Sequence, residues 1–336
     1  MPGLGLALPT RSGLAADRLA DLARQAEHAG FAGCFVAERC GDGLTVLAGL
    51  AAATSTIELG TAIANIYHRH PAVMAMTCAT INELCGGRLS VGLGTGDPVA
   101  SSRQLGVAAD SPMSRMREYV EVIRRVLAAP PVSYHGEVFQ VEGLVPDFVP
   151  SVGFPIYVGA LQRRMMALAA DIADGVILNL VHRPCLGDII AGIRGDLSDA
   201  GRSGGFRIAC VVPVCVTEDR DAGLDRGRSV VANYAMHPAA VRLFGQHGYA
   251  EVLGQVQERL RHGDRAGALR GVPDQMVADF VVVGAAADCR AALSGYQQAG
   301  VDLPIAFPVA HPLGWEEAIS ELMTVPTPVH QATQRF

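Results

Sequence analysis

Two stretches of this sequence carry residue types that can do chemistry. The first is Gly94-Thr95-Gly96-Asp97, where small residues expose backbone N–H groups beside a single carboxylate. A lone acid in such a turn either caps the segment after it or exchanges protons with a ligand. Its place at the end of a strand pattern favours the second role. The second stretch is Gly159-Ala160-Leu161-Gln162-Arg163-Arg164, where a strand pattern gives way to a helix pattern. The first N–H groups of a helix have no carbonyl within it and bind phosphate readily. Cations are disfavoured at that positive end, so an anionic ligand would account for Arg163 and Arg164. His68-x-His70 has the look of a metal pair after a barrel strand. No later set of Asp and His at strand ends completes it, and His70 stands before Pro71 at a helix start, so no metal is expected.

The elements that must position these residues are legible around them. Ile57 to Ile63 is β-branched and apolar. His70-Pro71 opens a helix with Met74, Cys78, Ile81 and Cys85 on one face, and Gly86-Gly87 ends it. The next strand alternates Leu89, Val91 and Leu93 with Ser90, Gly92 and Gly94. Its nearly bare face is expected to let a flat ligand approach the backbone. Strand patterns recur at 3–8, 33–37, 57–63, 88–94, 155–159, 175–180, 206–216 and 304–309. Helical patterns lie between them, among them 14–29, 112–128 with Ser111 as cap, 163–173, 186–200, 286–299 and 315–323. Eight strands alternating with helices is the arithmetic of an α/β chain folded as a (β/α)8 TIM barrel. A doubly wound dinucleotide fold is disfavoured, because the third glycine of its fingerprint falls on Asp97. Two segments break the rhythm: 130–154, read as a loop with a small hairpin, and 219–280, read as a mainly helical insertion before the last strand. We therefore expect one domain over 1–336, with the helical insertion forming a lid or a subunit contact. Trp315, Tyr157 and Phe307 fall in apolar patterns and are expected in the core.

Composition excludes several classes of function. Half of the 336 residues are hydrophobic, 18% are charged, and the net charge is −6, which gives no reason to expect nucleic acid or an anionic membrane as partner. The sequence contains no lysine; all 27 basic residues are arginine. Schiff-base chemistry, pyridoxal phosphate attachment and the Walker P-loop each need a lysine amine and are excluded. The eight cysteines include no C-x-x-C pair and lie mostly in apolar patterns, as reduced core residues do. MPGLGLAL lacks a basic flank, no stretch has transmembrane length, and a cytoplasmic homodimer acting on a small molecule is expected.

Several motifs stand in a fixed order: Arg69-His70-Pro71, Gly86-Gly87-Arg88-Leu89, Gly94-Thr95-Gly96-Asp97, then PIYVGALQRRMMALAADIADGVILNL at 155–180. This succession resembles the luciferase-like oxidoreductases. It is most similar to their branch that uses the deazaflavin coenzyme F-420 in place of flavin mononucleotide, as methylenetetrahydromethanopterin reductase does. The resemblance covers most of the chain and weakens over 220–280. It implies a TIM barrel that moves a hydride between the deazaflavin and a small organic substrate. It also implies a non-proline cis peptide at Ala62-Ile63, whose bulge, running into Ala64, supports the cofactor's central ring. Asp97, with Thr95 and Gly96 before it, would lie by the reactive ring, and the backbone over Gly159, Ala160, Leu161, Gln162 and Arg163 would bind the cofactor's phosphate. Glu38 takes the place of an acid that the branch usually follows with His, and here Arg39 follows it. Glu38 can hydrogen-bond the ring or share the proton work with Asp97. An Asn common three residues after the strand-end acid is Ala100. Two alternatives stay open: a flavin mononucleotide (FMN) monooxygenase, and a paralogue that binds the cofactor without catalysis.

Overall fold

Apolar runs too short to stand alone alternate with amphipathic stretches, and each buries its face against the next. The computed structural model describes residues 3–10, 13–38, 41–108, 111–128, 130–147, 153–202 and 204–326; Arg39 and Cys40 lie outside them. In chain order the first half holds β1 (Gly5–Pro9), α1 (Ala16–Ala29), β2 (Gly33–Ala37), α2 (Gly43–Ala53), β3 (Glu58–Asn65), α3 (Pro71–Leu84), β4 (Leu89–Gly94), α4 (Pro98–Leu105), α5 (Pro112–Ala128), β5 (Val132–His135) and β6 (Gln140–Leu144). It continues with β7 (Ile156–Ala160), α6 (Arg163–Ile172), β8 (Gly175–Asn179), α7 (Leu186–Asp199) and β9 (Arg207–Val216). Five helices follow: α8 (Arg220–Tyr234), α9 (Pro238–Gln246), α10 (Ala250–Arg261), α11 (Arg265–Arg270) and α12 (Asp274–Phe280). The chain closes with β10 (Val282–Gly284), α13 (Ala286–Gln298), β11 (Leu303–Pro308) and α14 (Trp315–Leu322).

Eight parallel strands close a barrel in the order β1, β2, β3, β4, β7, β8, β9, β11 and back to β1. The fold is the expected (β/α)8 TIM barrel. Its strands lie within a residue or two of the ranges read from sequence, because each is an apolar run bounded by Gly, Pro or polar residues. Two helices, α2 and α4, are not among the helical patterns read from sequence. In α2, apolar and small residues run all the way round a helix packed between α1 and α3. The eight-residue α4 is short and mixed, and the Asp97-Pro98 start is its main signal. The 130–154 stretch contains the expected hairpin, β5 against β6. Buried Glu118 of α5 accepts the N–H groups of Glu137, Val138 and Phe139 and so docks it.

Inside the barrel a small core of Ala7, Phe35, Tyr157, Ile177, Ala209, Val211, Leu303 and Ile305 stands apart from the larger core between strands and helices. The bare face of β4 points into it, and the expectation of a ligand there is not met. A Cβ on Gly92 would fall 2.3 Å from Ile177 Cδ1, and one on Gly94 would fall 2.5 Å from Ile63 Cγ1. These glycines make room for the protein's own side chains. At the strands' N-terminal end the barrel is closed by polar contacts: Ser90 Oγ donates to Glu58 (2.7 Å), and Arg207 pairs with both Glu58 oxygens (2.8 Å each). At the other end several strand residues are half-buried rather than buried.

Candidate active site

At that C-terminal end four adjacent strand ends bring together residues far apart in sequence. The peptide Ala62-Ile63 is cis, and β3 bulges there: Thr61 pairs with Val91 of β4, but the next partner of Leu93 is Ala64. The Ile63 side chain lies where a Cβ on Gly94 or on Gly159 would have to go, so glycine in β4 and in β7 seats the bulge between both neighbours. On the other side the Glu38 N–H donates to Ile63 O (2.9 Å), and the Glu38 carboxylate accepts the Asn65 N–H (3.0 Å). Toward the C-terminal ends of the barrel strands Ala62, Ile63, Gly159, Asn179 and Phe307 are only half-buried, as are Ala37 and Val216. Phe307 thus departs from its expected core position; its ring edge meets Trp315 at 5.7 Å.

The two carboxylates are held differently. Glu38 is 6% exposed, and its carboxylate is saturated: Arg69 Nη1 at 2.6 Å, the Asn65 N–H, the Gly43 N–H at 3.4 Å and His68 Nδ1 at 3.5 Å. Burial alone would raise its pKa. The hydrogen bonds from His68 and Arg69, the Arg69 charge and the Asn65 N–H outweigh burial and hold the group below the usual carboxylate range. A group so committed to its charged form and its partners is poorly placed to carry protons, which departs from the catalytic role expected for Glu38. The signal for this lay in Arg69, whose second nitrogen binds Asp42 (2.7 Å), the cap of α2. Asp97 caps α4 through Oδ1, which accepts from Val99 N–H (3.0 Å) and Ala100 N–H (3.1 Å). Its Oδ2 has no hydrogen-bond partner among the described residues. Thr95 and Asp97 are half-buried and Gly96, with φ +52°, is exposed. One oxygen of the side chain is thus committed to the cap, and the other is not.

At the turn after β7, Gln162 begins α6 without a capping side chain, so the N–H groups of Arg163 and Arg164 lack an intrahelical partner. Arg163 departs from expectation. It pairs with Asp196 of α7 and reaches Gly192 O (3.4 Å), so a neighbouring helix accounts for this cation without an anionic ligand. Arg164 is exposed. Gln162 meets the helical insertion: its Nε2 donates to Ala239 O (3.3 Å), and Gln246 donates to its Oε1 (3.4 Å). Leu161, Leu180 and Val309 from strand ends pack into the insertion's own core around Phe244 and Phe280. Asn179 of β8, which the sequence reading did not single out, donates to Tyr234 Oη (3.1 Å). Leu180 beside it has φ +50°, the one described non-glycine residue in the left-handed region.

The C-terminal end of this TIM barrel thus combines a β3 bulge, an acid after β4 and an uncapped helix after β7. A family model described as luciferase-like monooxygenase matches residues 4–303, and the chain belongs to this luciferase-like family. It is 35% identical over 263 residues to a 5,10-methylenetetrahydromethanopterin reductase of Archaeoglobus fulgidus, covering 76% of this chain and 78% of that protein. It is 30% identical over 314 residues to a putative coenzyme F-420-dependent oxidoreductase of Mycobacterium tuberculosis, covering 85% and 89%. The solved F-420-dependent tetrahydromethanopterin reductase from Methanopyrus kandleri superposes with a TM-score of 0.80 at 26% identity, over 96% of this chain and 97% of that one.

Proposed function

We propose that this protein is a deazaflavin-dependent oxidoreductase that binds coenzyme F-420 at the C-terminal mouth and works on a small organic substrate. The observation that carries the reading is the contiguity of the β3 bulge between Thr61 and Ala64, the Gly94–Asp97 turn and the uncapped start of α6 on neighbouring strands. The likeness to two F-420-dependent proteins supports deazaflavin ahead of FMN. When bound, F-420 supplies a carbon that accepts or delivers a hydride. The protein's share is placement. Ala62 and Ile63 of the bulge would support the ring, whereas Ala64, expected to share that role, is fully buried behind them; Thr95 and Gly96 would lie alongside, and the end of β7 (Gly159, Ala160) with Leu161, Gln162 and the free N–H groups at the start of α6 (Arg163) would hold the phosphate. Asp97 Oδ2 takes up or returns the proton that accompanies hydride transfer. Glu38 acts as a positioning residue, because it ties β2 to the bulge and holds Arg69.

The same reading has the protein acting as a homodimer in the cytoplasm, in keeping with free thiols at seven described cysteines. Among the described residues no helix is long and apolar enough to cross a membrane. The test is a titration of the purified protein with F-420 and, separately, with FMN, followed by addition of methylenetetrahydropterins and secondary alcohols. Saturable binding of F-420 but not FMN, with absorbance changes on adding one substrate class, is expected. Binding of FMN alone overturns the assignment; F-420 binding with no turnover on any substrate favours the non-catalytic paralogue.

A further inference from the structure

Away from the strand ends assigned to the cofactor, three side chains from two distant segments converge. His182 and Cys185 belong to the turn between β8 and α7, and His247 follows α9 in the helical insertion. Their ligand-type atoms all lie within 4.8 Å of one another. His182 Nδ1 stands 3.1 Å from Cys185 Sγ, and Cys185 Sγ stands 4.0 Å from His247 Nδ1. Nitrogen and sulfur ligands at about 2.1 and 2.3 Å on a tetrahedral ion would stand about 3.6 Å apart, between these two distances. The two imidazole rings lie face to face, 4.0 Å between centroids and 11° between planes, so their in-plane lone pairs run side by side, and His247 must turn about its side-chain bonds for both rings to reach one ion.

A second layer orients the first. His182 Nε2 is 3.2 Å from Asp279 Oδ2, which also accepts Tyr249 Oη (2.5 Å), while Gln275 Nε2 donates to Oδ1 (2.7 Å). As a carboxylate, Asp279 only accepts, so it takes the His182 Nε2–H, and the lone pair of a neutral ring is left on Nδ1, facing the sulfur. Carboxylate–imidazole pairs of this kind are the usual support of histidine ligands. Asp279 is 6% exposed, whereas the three ligand residues are half-buried and reachable by solvent.

We propose that His182, Cys185 and His247 form a binding site for a thiophilic divalent cation of the Zn2+ class, with Asp279 as its orienting carboxylate. One thiolate and two imidazoles select such an ion over Mg2+ or Ca2+, which want oxygen ligands. Three protein ligands leave a fourth position for water. Because His247 and Asp279 belong to the insertion and its last helix while His182 and Cys185 follow β8, the ion pins the insertion to the barrel. None of the four residues takes part in the proposed cofactor chemistry, so the site stands or falls independently of it.

The experiment uses the full-length, untagged protein, freed of metal by chelator and titrated with Co2+ as a spectroscopic probe. One equivalent per chain should produce visible tetrahedral bands and a near-ultraviolet thiolate-to-cobalt transition, and Zn2+ should displace both. Cys185→Ser should remove the sulfur transition while circular dichroism stays unchanged, and Asp279→Asn should weaken Co2+ binding by roughly 10–100-fold. Zn2+ should raise the melting temperature of the wild type but not of Cys185→Ser. The proposal is overturned if no sulfur transition appears, if it persists in Cys185→Ser, or if Zn2+ leaves the melting temperature unmoved. In those cases the cluster is an aromatic cap on the insertion's core.

Discussion

At the scale of single residues, Asp97 and Glu38 are two carboxylates a few strand positions apart with opposite assignments. Asp97 keeps one oxygen for its cap and one free, so Asp97→Asn should retain the fold and most affinity for F-420, since an amide oxygen still caps α4. Turnover should fall by roughly 100-fold or more, the usual share of general acid–base catalysis. Single-turnover rates across the pH range check this, and an Asn variant as fast as wild type would reduce Asp97 to a cap. Glu38 makes a stability prediction. Its pKa is depressed in the folded protein, so its contribution is complete above the unfolded value of about 4.3 and is lost as pH falls through the lower folded value. Glu38→Gln leaves Arg69 with Asp42 as its remaining carboxylate partner. It should cost about 1–3 kcal/mol near neutral pH and flatten the acid limb of the stability curve, as read by urea denaturation at several pH values.

At the scale of elements, the bulge of β3 depends on absent side chains in its neighbours. Gly94→Ala would place a Cβ 2.5 Å from Ile63 Cγ1. We expect a loss of about 1–3 kcal/mol in stability and a larger relative loss of F-420 affinity. Ile63→Ala in the same chain should recover stability without recovering affinity, and a double-mutant cycle separates the two. The start of α6 makes a contrast. Arg163 serves the α6–α7 contact through Asp196, so Arg163→Gln should cost under about 1 kcal/mol of stability and leave cofactor binding nearly unchanged. Arg164→Glu faces the same turn without that partner and should weaken F-420 binding by about 1–3 kcal/mol at low salt. Equal effects of the two substitutions on affinity would contradict the division.

At the scale of the whole molecule, the barrel and its insertion share side chains. Leu180 and Val309, at the ends of β8 and β11, pack into the core around Phe244, and Gln162 and Asn179 bond to α9 and α8. Phe244→Ala, a fully buried site, should cost about 3–5 kcal/mol and loosen the β7 and β8 strand ends. Hydrogen exchange at 159–162 and 179–182 should rise along with that in the insertion. Exchange confined to 236–272 would make the insertion an independent unit.

What the sequence determined by itself was everything local. Strand limits, the Gly86-Gly87 stop, the capping alternative for Asp97 and the hairpin are properties of one run of residues and its backbone preferences, so the barrel was readable before any coordinates. The ordered motifs further carried the expectation of a cis Ala62-Ile63 peptide, which is present. What only the tertiary structure decided was which side chain meets which across the closed sheet. Arg163 finds Asp196, 33 residues on, and Glu38 finds Arg69, 31 residues on. Ile63 occupies the space that Gly94 and Gly159 leave, and His247 reaches Cys185 across 62 residues. Periodicity records which face of an element is buried, not what lies opposite, and the charge state, freedom and partners of a functional group are set by what lies opposite.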